Sequence, residues 1–203
     1  MQPDYSAPET SVPYVFSEPI TTDRLTLRLM TDADIDDVVR YQSREDVCRY
    51  LLFDPRTREQ VAERTAKHAI ATTLEKEGDY LQLALEIGAT GDSPARVIGD
   101  LYFTIASLEN SRGEIGWTLH PDFAGHGYAS EAARAVLSIA FRVLQLHRVY
   151  AELDPRNAAS IALCKRLGMR EEAFFVKDLW FKGDWADTGI YAILREVWIA
   201  ANG

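Results

Sequence analysis

The chain has 203 residues, 47% hydrophobic and 26% charged, enough to bury a full core without disulfides and too apolar for a disordered segment. Its 22 Lys and Arg against 31 Asp and Glu leave a formal charge of -9, which argues against nucleic acid as the main partner and favours a cationic one. Cys48 and Cys164, without CxxC spacing, read as reduced thiols of a cytoplasmic protein; no stretch approaches the roughly 18 apolar residues of a membrane span, and the N-terminus has no basic start or apolar core of a signal peptide.

Residues 1–20 carry Pro3, Pro8, Pro13 and Pro19 and read as an extended arm, whose Tyr14 and Phe16 are expected to pack on this chain or on a second subunit. Residues 21–200 read as one domain. Leu25, Leu27 and Leu29 alternate as in a half-buried strand, and Thr31 with Asp34 caps a helix over 32–42. Thr57 opens a capping-box pattern, T-R-E-Q, and predicts a second helix running to about Glu77 and stopping at Gly78. Strands at 80–87 and 96–105 are joined by the turn 88–94, and a third follows at 114–119. After the loop 120–128 come an Ala-rich helix, 129–144, and a strand, 148–153. Asn157 caps a helix that ends at Leu167 before Gly168, and strands at about 172–181 and 188–194 flank the turn 182–185. A meander, then strand–helix–strand–helix, then a hairpin predicts an α/β (α+β) domain around a mixed sheet.

The sharpest local feature is G-H-G-Y-A-S-E at 125–131, between a strand and a long helix. Gly125 and Gly127 free the backbone to aim its N–H groups at one point, and the helix end behind them adds partial positive charge, which makes a pyrophosphate cradle. A glycine-rich turn without a ligand would look the same locally. A dinucleotide fingerprint fits less well: Ser130 stands where its third glycine belongs, although Glu152 lies near the place of a ribose-binding acid. No Gly-Lys-Ser/Thr occurs, so a P-loop is excluded.

Two longer runs, E-I-G-W-T-L-H-P-D-F-A-G-H-G-Y-A-S-E-A-A-R-A-V (114–136) and H-R-V-Y-A-E-L-D-P-R-N-A-A-S-I-A-L-C-K-R-L-G-M (147–169), resemble the GCN5-related N-acetyltransferases, the GNAT family. The opening T-D-R-L-T-L-R (22–28) and the ending K-G-D-W-A-D-T-G-I-Y-A-I-L-R-E-V-W (182–198) are similar to the Rim-type branch, which acetylates N-termini of ribosomal proteins. The resemblance spans residues 21–198 and implies a GNAT fold: one domain with a bent, mixed, mostly antiparallel sheet, splayed at an acetyl-CoA cleft and flanked by helices.

It further implies an acetyl-CoA-dependent transfer to a primary amine, a protein N-terminus or a small molecule, by direct attack. An acyl-CoA-binding module without catalysis is the alternative. The resemblance assigns the pyrophosphate to Gly125, His126, Gly127, Tyr128, Ala129 and Ser130, although Ala124 replaces the family's usual Gln or Arg. Trp117, Thr118 and Leu119 would hold pantetheine and the thioester carbonyl, and Asn157 the cofactor arm. Ser160 would protonate the leaving thiolate, and it and Asn157 are ordinary first-turn helix residues as well.

The amine must lose a proton, and Glu114 is the first candidate base, with a solvated strand-end glutamate as the plain alternative. Leu179 stands where some Rim-type enzymes place a glutamate, leaving Asp178 beside it as a substitute. His126 is placed to touch a phosphate, His68 reads as helix surface, and Trp180, Phe181 and Trp185 as core or cleft wall with core favoured. No pair of histidines has metal-ligand spacing, so no metal is expected. A homodimer is expected from the family. The segments 32–42 and 57–77 are expected to wall the acceptor side.

Overall fold

A computed structural model describes residues 10–89 and 94–203; four residues of the expected turn 88–94 and the start of the arm lie outside the described residues. Among the described residues ten strands form: β1 (Tyr14–Val15), β2 (Ile20–Thr21), β3 (Leu25–Leu29), β4 (Thr73–Leu74), β5 (Tyr80–Ile87), β6 (Arg96–Ser107), β7 (Arg112–Leu119), β8 (Arg148–Leu153), β9 (Arg170–Phe181) and β10 (Asp184–Leu194). The helices are α1 (Ile35–Gln42), α2 (Glu45–Cys48), α3 (Arg58–Ala69), α4 (Tyr128–Ser138), α5 (Ala158–Arg166) and α6 (Arg195–Asn202).

Eight strands make one sheet in the order β2-β3-β5-β6-β7-β8-β10-β9. Each pairing is antiparallel except β7 with β8, which α4 connects as a crossover. That parallel ladder has three rungs, Arg112–Arg148, Gly113–Val149 and Glu114–Tyr150, yet β7 continues to Leu119 and β8 to Leu153. The sheet therefore splits beyond Glu114.

Both faces are covered. Leu81, Leu83 and Leu85 of β5 join the main core with Ala133, Val136 and Leu137 of α4, while the intervening Ala84 joins Val38, Tyr41 and Val61 of α1 and α3. The strand period of two thus serves two cores. The expected cap at Thr57 forms as a reciprocal box with Gln60, and Asp34 receives the Thr31 N–H at 2.7 Å before α1.

The expected helix 57–77 is too long: α3 ends at Ala69. Thr73 and Leu74 leave helical geometry to pair with Val15 and Tyr14 of the arm, and Leu74 becomes fully buried. Tertiary pairing outweighs local helix propensity here. The described part of the arm packs in cis, with Phe16 in the core and the Thr10 hydroxyl 2.8 Å from that of Ser111. The expected rod 129–144 starts at Tyr128, and a π-helical segment, Ile139–Val143, continues α4.

Candidate active site

Gly125 (φ 80°) and Gly127 (φ 85°) occupy the left-handed region, where an L side chain costs about 1–2 kcal/mol. Gly127 is the N-cap of α4. None of the six backbone N–H groups from Gly125 to Ser130 finds an acceptor within the described protein; the first that does is Glu131, whose N–H reaches the Gly127 carbonyl at 3.0 Å. Six consecutive donors without acceptors at the N-terminal end of an 11-residue helix can hold an anion on backbone alone.

Arg24 latches this loop. Its Nε donates to Glu131 Oε2 at 2.7 Å, its backbone N–H to Glu131 Oε1 at 2.8 Å, and its Nη1 to the His126 carbonyl at 2.9 Å. The guanidinium also lies 4.5 Å from the centroid of the Tyr128 ring, and the Thr22 hydroxyl donates to Glu131 at 2.6 Å. Burial acts to raise the Glu131 carboxyl, but the Thr22 and Arg24 bonds hold it below its ordinary value. The T-D-R motif, noted in the sequence without a role, thus positions the glycine loop.

The split beside the loop gathers the other expected residues. The Trp117 indole N–H donates to Ser160 Oγ at 3.2 Å, joining β7 to the first turn of α5 across the opening. Asn157 caps α5, its Oδ1 accepting the Ser160 N–H at 3.1 Å. Glu114 occupies the last rung before the split and accepts the Tyr150 hydroxyl at 3.1 Å. Burial raises the Glu114 carboxyl above its ordinary value, the Tyr150 bond opposes this, and Glu152 adds to it. The Tyr150 phenol is pushed to about 12 by burial and by Glu114. A half-buried carboxylate with a raised pKa is a better proton acceptor than a solvated one.

Two cavities meet at Leu51. The larger, about 220 Å³, has Gly116, Trp117 and Thr118 of β7 on one wall and Arg56, Arg64 and His68 on another. The smaller, about 120 Å³, lies between Leu51 and the ends of β8 and β9, with Glu152, Asp154 and Leu179 in its lining. Leu179 faces this cavity while Asp178 is exposed on the strand, which removes the geometric case for Asp178 as a substitute base.

The expectations for His68 and for the tryptophans of the last hairpin need correction. His68 is half-buried on the larger cavity rather than on the helix surface: its Nδ1 is buried without a protein partner, and burial, followed by Arg64, Arg56 and Lys67, lowers it to about 4. Its place depends on α3 lying against β5, where His68 meets Tyr80 edge-on at 5.6 Å, and nothing local in the sequence marks it. Trp180 and Trp185 are 60% and 51% exposed, because they pair across the outer hairpin β9–β10. Phe181 lines the smaller cavity. His126 is exposed and stacks on Tyr128 at 6.0 Å. Among the described residues no group of three or more His, Cys, Asp or Glu is placed to hold a metal.

Comparison with known proteins gives a consistent picture. Residues 24–170 match the family described as acetyltransferase (GNAT) domain. The uncharacterized N-acetyltransferase YnaD of Bacillus subtilis is 35% identical over 88% of this chain and 98% of its own. A GNAT-family acetyltransferase from Bacillus anthracis superposes with TM-score 0.76 at 30% identity, over 88% of this chain and 99% of that one. The spermidine N-acetyltransferase of Vibrio cholerae, solved with CoA and spermine, shares the fold at TM-score 0.71 and 19% identity, over 88% and 99% of the two chains.

Proposed function

Because the chain belongs to the GNAT acetyltransferase family, we propose that it carries the acetyl group of acetyl-CoA to a primary amine by direct attack. The observation that carries this reading is the row of six acceptorless amides, Gly125 to Ser130, set beside a sheet that opens beyond Glu114. A pyrophosphate satisfies such a row, and the α4 N-terminus favours its charge. His126 is exposed at the same place. The pantetheine then lies along Trp117, Thr118 and Leu119, whose backbone no longer pairs with β8, with Asn157 against the cofactor arm.

In the transfer the amine nitrogen bonds to the acetyl carbon, the carbon–sulfur bond breaks, and the amine gives up a proton while the thiolate gains one. Glu114 accepts the proton, directly or through water, its basicity raised by burial. A backbone N–H between Trp117 and Leu119 polarises the thioester carbonyl. Ser160, held by the Trp117 indole, protonates the thiolate. Leu179, in the lining of the neighbouring cavity, is itself no proton acceptor, and in this reading the base is Glu114.

The finer assignment, to the Rim-type branch, rests on the opening and closing motifs. The exposed apolar residues of edge strand β9, Phe174, Phe175 and Val176, support a homodimer, and two free, buried cysteines a cytoplasmic location. The deciding experiment is calorimetric titration with acetyl-CoA, followed by CoA release over a panel of amines and N-terminal peptides. Saturable binding with amine-dependent release is the expected result, whereas binding without release would leave a CoA-binding module.

A further inference from the structure

The wall opposite β7 in the larger cavity gives the acceptor a chemistry. Arg56 stacks with its guanidinium carbon 3.4 Å from the Phe53 ring centroid, and its Nη1 donates to the neutral Gln42 Oε1 at 2.5 Å. Its Nε and Nη2 have no protein acceptor among the described residues, and neither Arg56 nor Arg64 lies within ion-pair reach of a carboxylate there. By contrast Arg24, Arg28 and Arg156 are each tied to an acid. His68 Nδ1, on the same wall, is buried and unpartnered. Buried polar groups are almost always paired, so the buried, unpartnered His68 Nδ1, on one cavity with the half-buried Arg56 and the exposed Arg64, neither of them ion-paired, marks a place for an anionic ligand group.

The carboxylate already in the cavity does not serve them. Asp100 is 4% exposed and takes the Tyr41 hydroxyl at 2.7 Å, Gln42 Nε2 at 3.0 Å and Gln82 Nε2 at 2.7 Å. Gln42 therefore bridges Asp100 to Arg56, fixing the guanidinium while leaving its other donors free. Burial, then Arg64, draws Arg56 down to about 10, so it stays charged at neutral pH, whereas His68 is neutral.

We infer that the acceptor is an amine that also carries a carboxylate, held by Arg56 and Arg64 with His68 as a further hydrogen-bond partner. The inference rests on the acetyl-transfer reading for the other end, where the amino group meets β7. A planar, bidentate-capable guanidinium suits a carboxylate, and a polyamine offers this wall only like charge. The net charge of -9 points to a cationic acceptor, but the local wall is cationic and decides what enters. At about 220 Å³ the cavity is smaller than the roughly 300–1,000 Å³ of drug-sized sites and suits a single amino-acid unit.

The test compares free amino acids with their own carboxamides and with spermidine, by calorimetry on the full chain with and without CoA. At least one amino acid should bind roughly tenfold or more tightly than its carboxamide. Arg64→Gln, at an exposed position, should remove most of that ratio, and Arg64→Lys should keep part of it. Arg56→Gln should act in the same sense, and the Arg64 pair decides the matter if that variant unfolds. Equal affinity of acids and amides, spermidine as the tightest ligand, or an unchanged ratio in Arg64→Gln would overturn the inference. Absence of CoA binding would instead end the acetyl-transfer reading, and the acid-to-amide ratio without CoA would still decide the acceptor.

Discussion

The two sides of the split sheet are built from different materials. The glycine loop at 125–130 offers backbone amides from one continuous segment, latched by Arg24 and Glu131. The cavity across β7 offers side chains from α3, β5, β6 and the loop before α3. A backbone site recognises what every acetyl-CoA carries, so it needs little more than two glycines and a helix end. A side-chain site can change one residue at a time, and under the proposal made above it is where the acceptor is chosen.

The sharpest way to break that division is Gly127→Glu. It places a carboxylate at the mouth of the cradle, at a left-handed position where the new Cβ meets Arg24 Nη2 at 3.4 Å. Acetyl-CoA affinity should fall by roughly 10²–10³-fold in calorimetry, with about 1–2 kcal/mol of strain in thermal melting. Unchanged affinity would move the cradle elsewhere.

Glu114→Gln comes next and tests the junction between the two sides. The rate should fall by roughly 10²-fold at neutral pH with acetyl-CoA affinity kept, and the acidic limb of the pH–rate profile should vanish. Tyr150, Glu152 and Tyr102 are the titratable neighbours that shape that limb. Stability should move the opposite way. The folded Glu114 pKa is raised, so its contribution is fully present below the unfolded pKa and is lost as pH rises through the folded one. The variant should therefore melt higher than wild type at neutral pH, and the gain should shrink in acid.

Arg24→Ala sharpens the claim that a distant motif holds the loop. Acetyl-CoA affinity should drop about tenfold while the KM for the amine stays constant, because the free amides lose their support and the acceptor cavity does not. Trp117→Phe has the smallest expected effect. Losing the indole bond to Ser160 should cost about two- to tenfold in kcat, with little change in the acetyl-CoA KM.

Legibility in the sequence follows the same division. The capping box at Thr57, the cap at Asn157 and the glycine loop rest on contacts within a few residues, and each forms where the residues predict. The end of α3 was not legible, since Thr73 and Leu74 turn into a strand only because Tyr14 and Val15 are there to pair with them. His68, Arg56 and Arg64 carry no local pattern, and they become one wall only when α3 and its preceding loop close over β5–β7. Trp180 and Trp185 look like core by composition, and only the strand order shows that their hairpin forms the edge of the sheet. The role of Arg24 needed Glu131, 107 residues away.

The central claim, that the acceptorless amides of 125–130 hold the pyrophosphate of acetyl-CoA, is tested most directly by amide NMR titration. Acetyl-CoA should shift the resonances of Gly125 to Ser130 most strongly, and acetyl-pantetheine, which lacks the pyrophosphate, should leave them in place while still perturbing Trp117 to Leu119. Equal shifts at 125–130 from both ligands, or none from acetyl-CoA, would contradict the account.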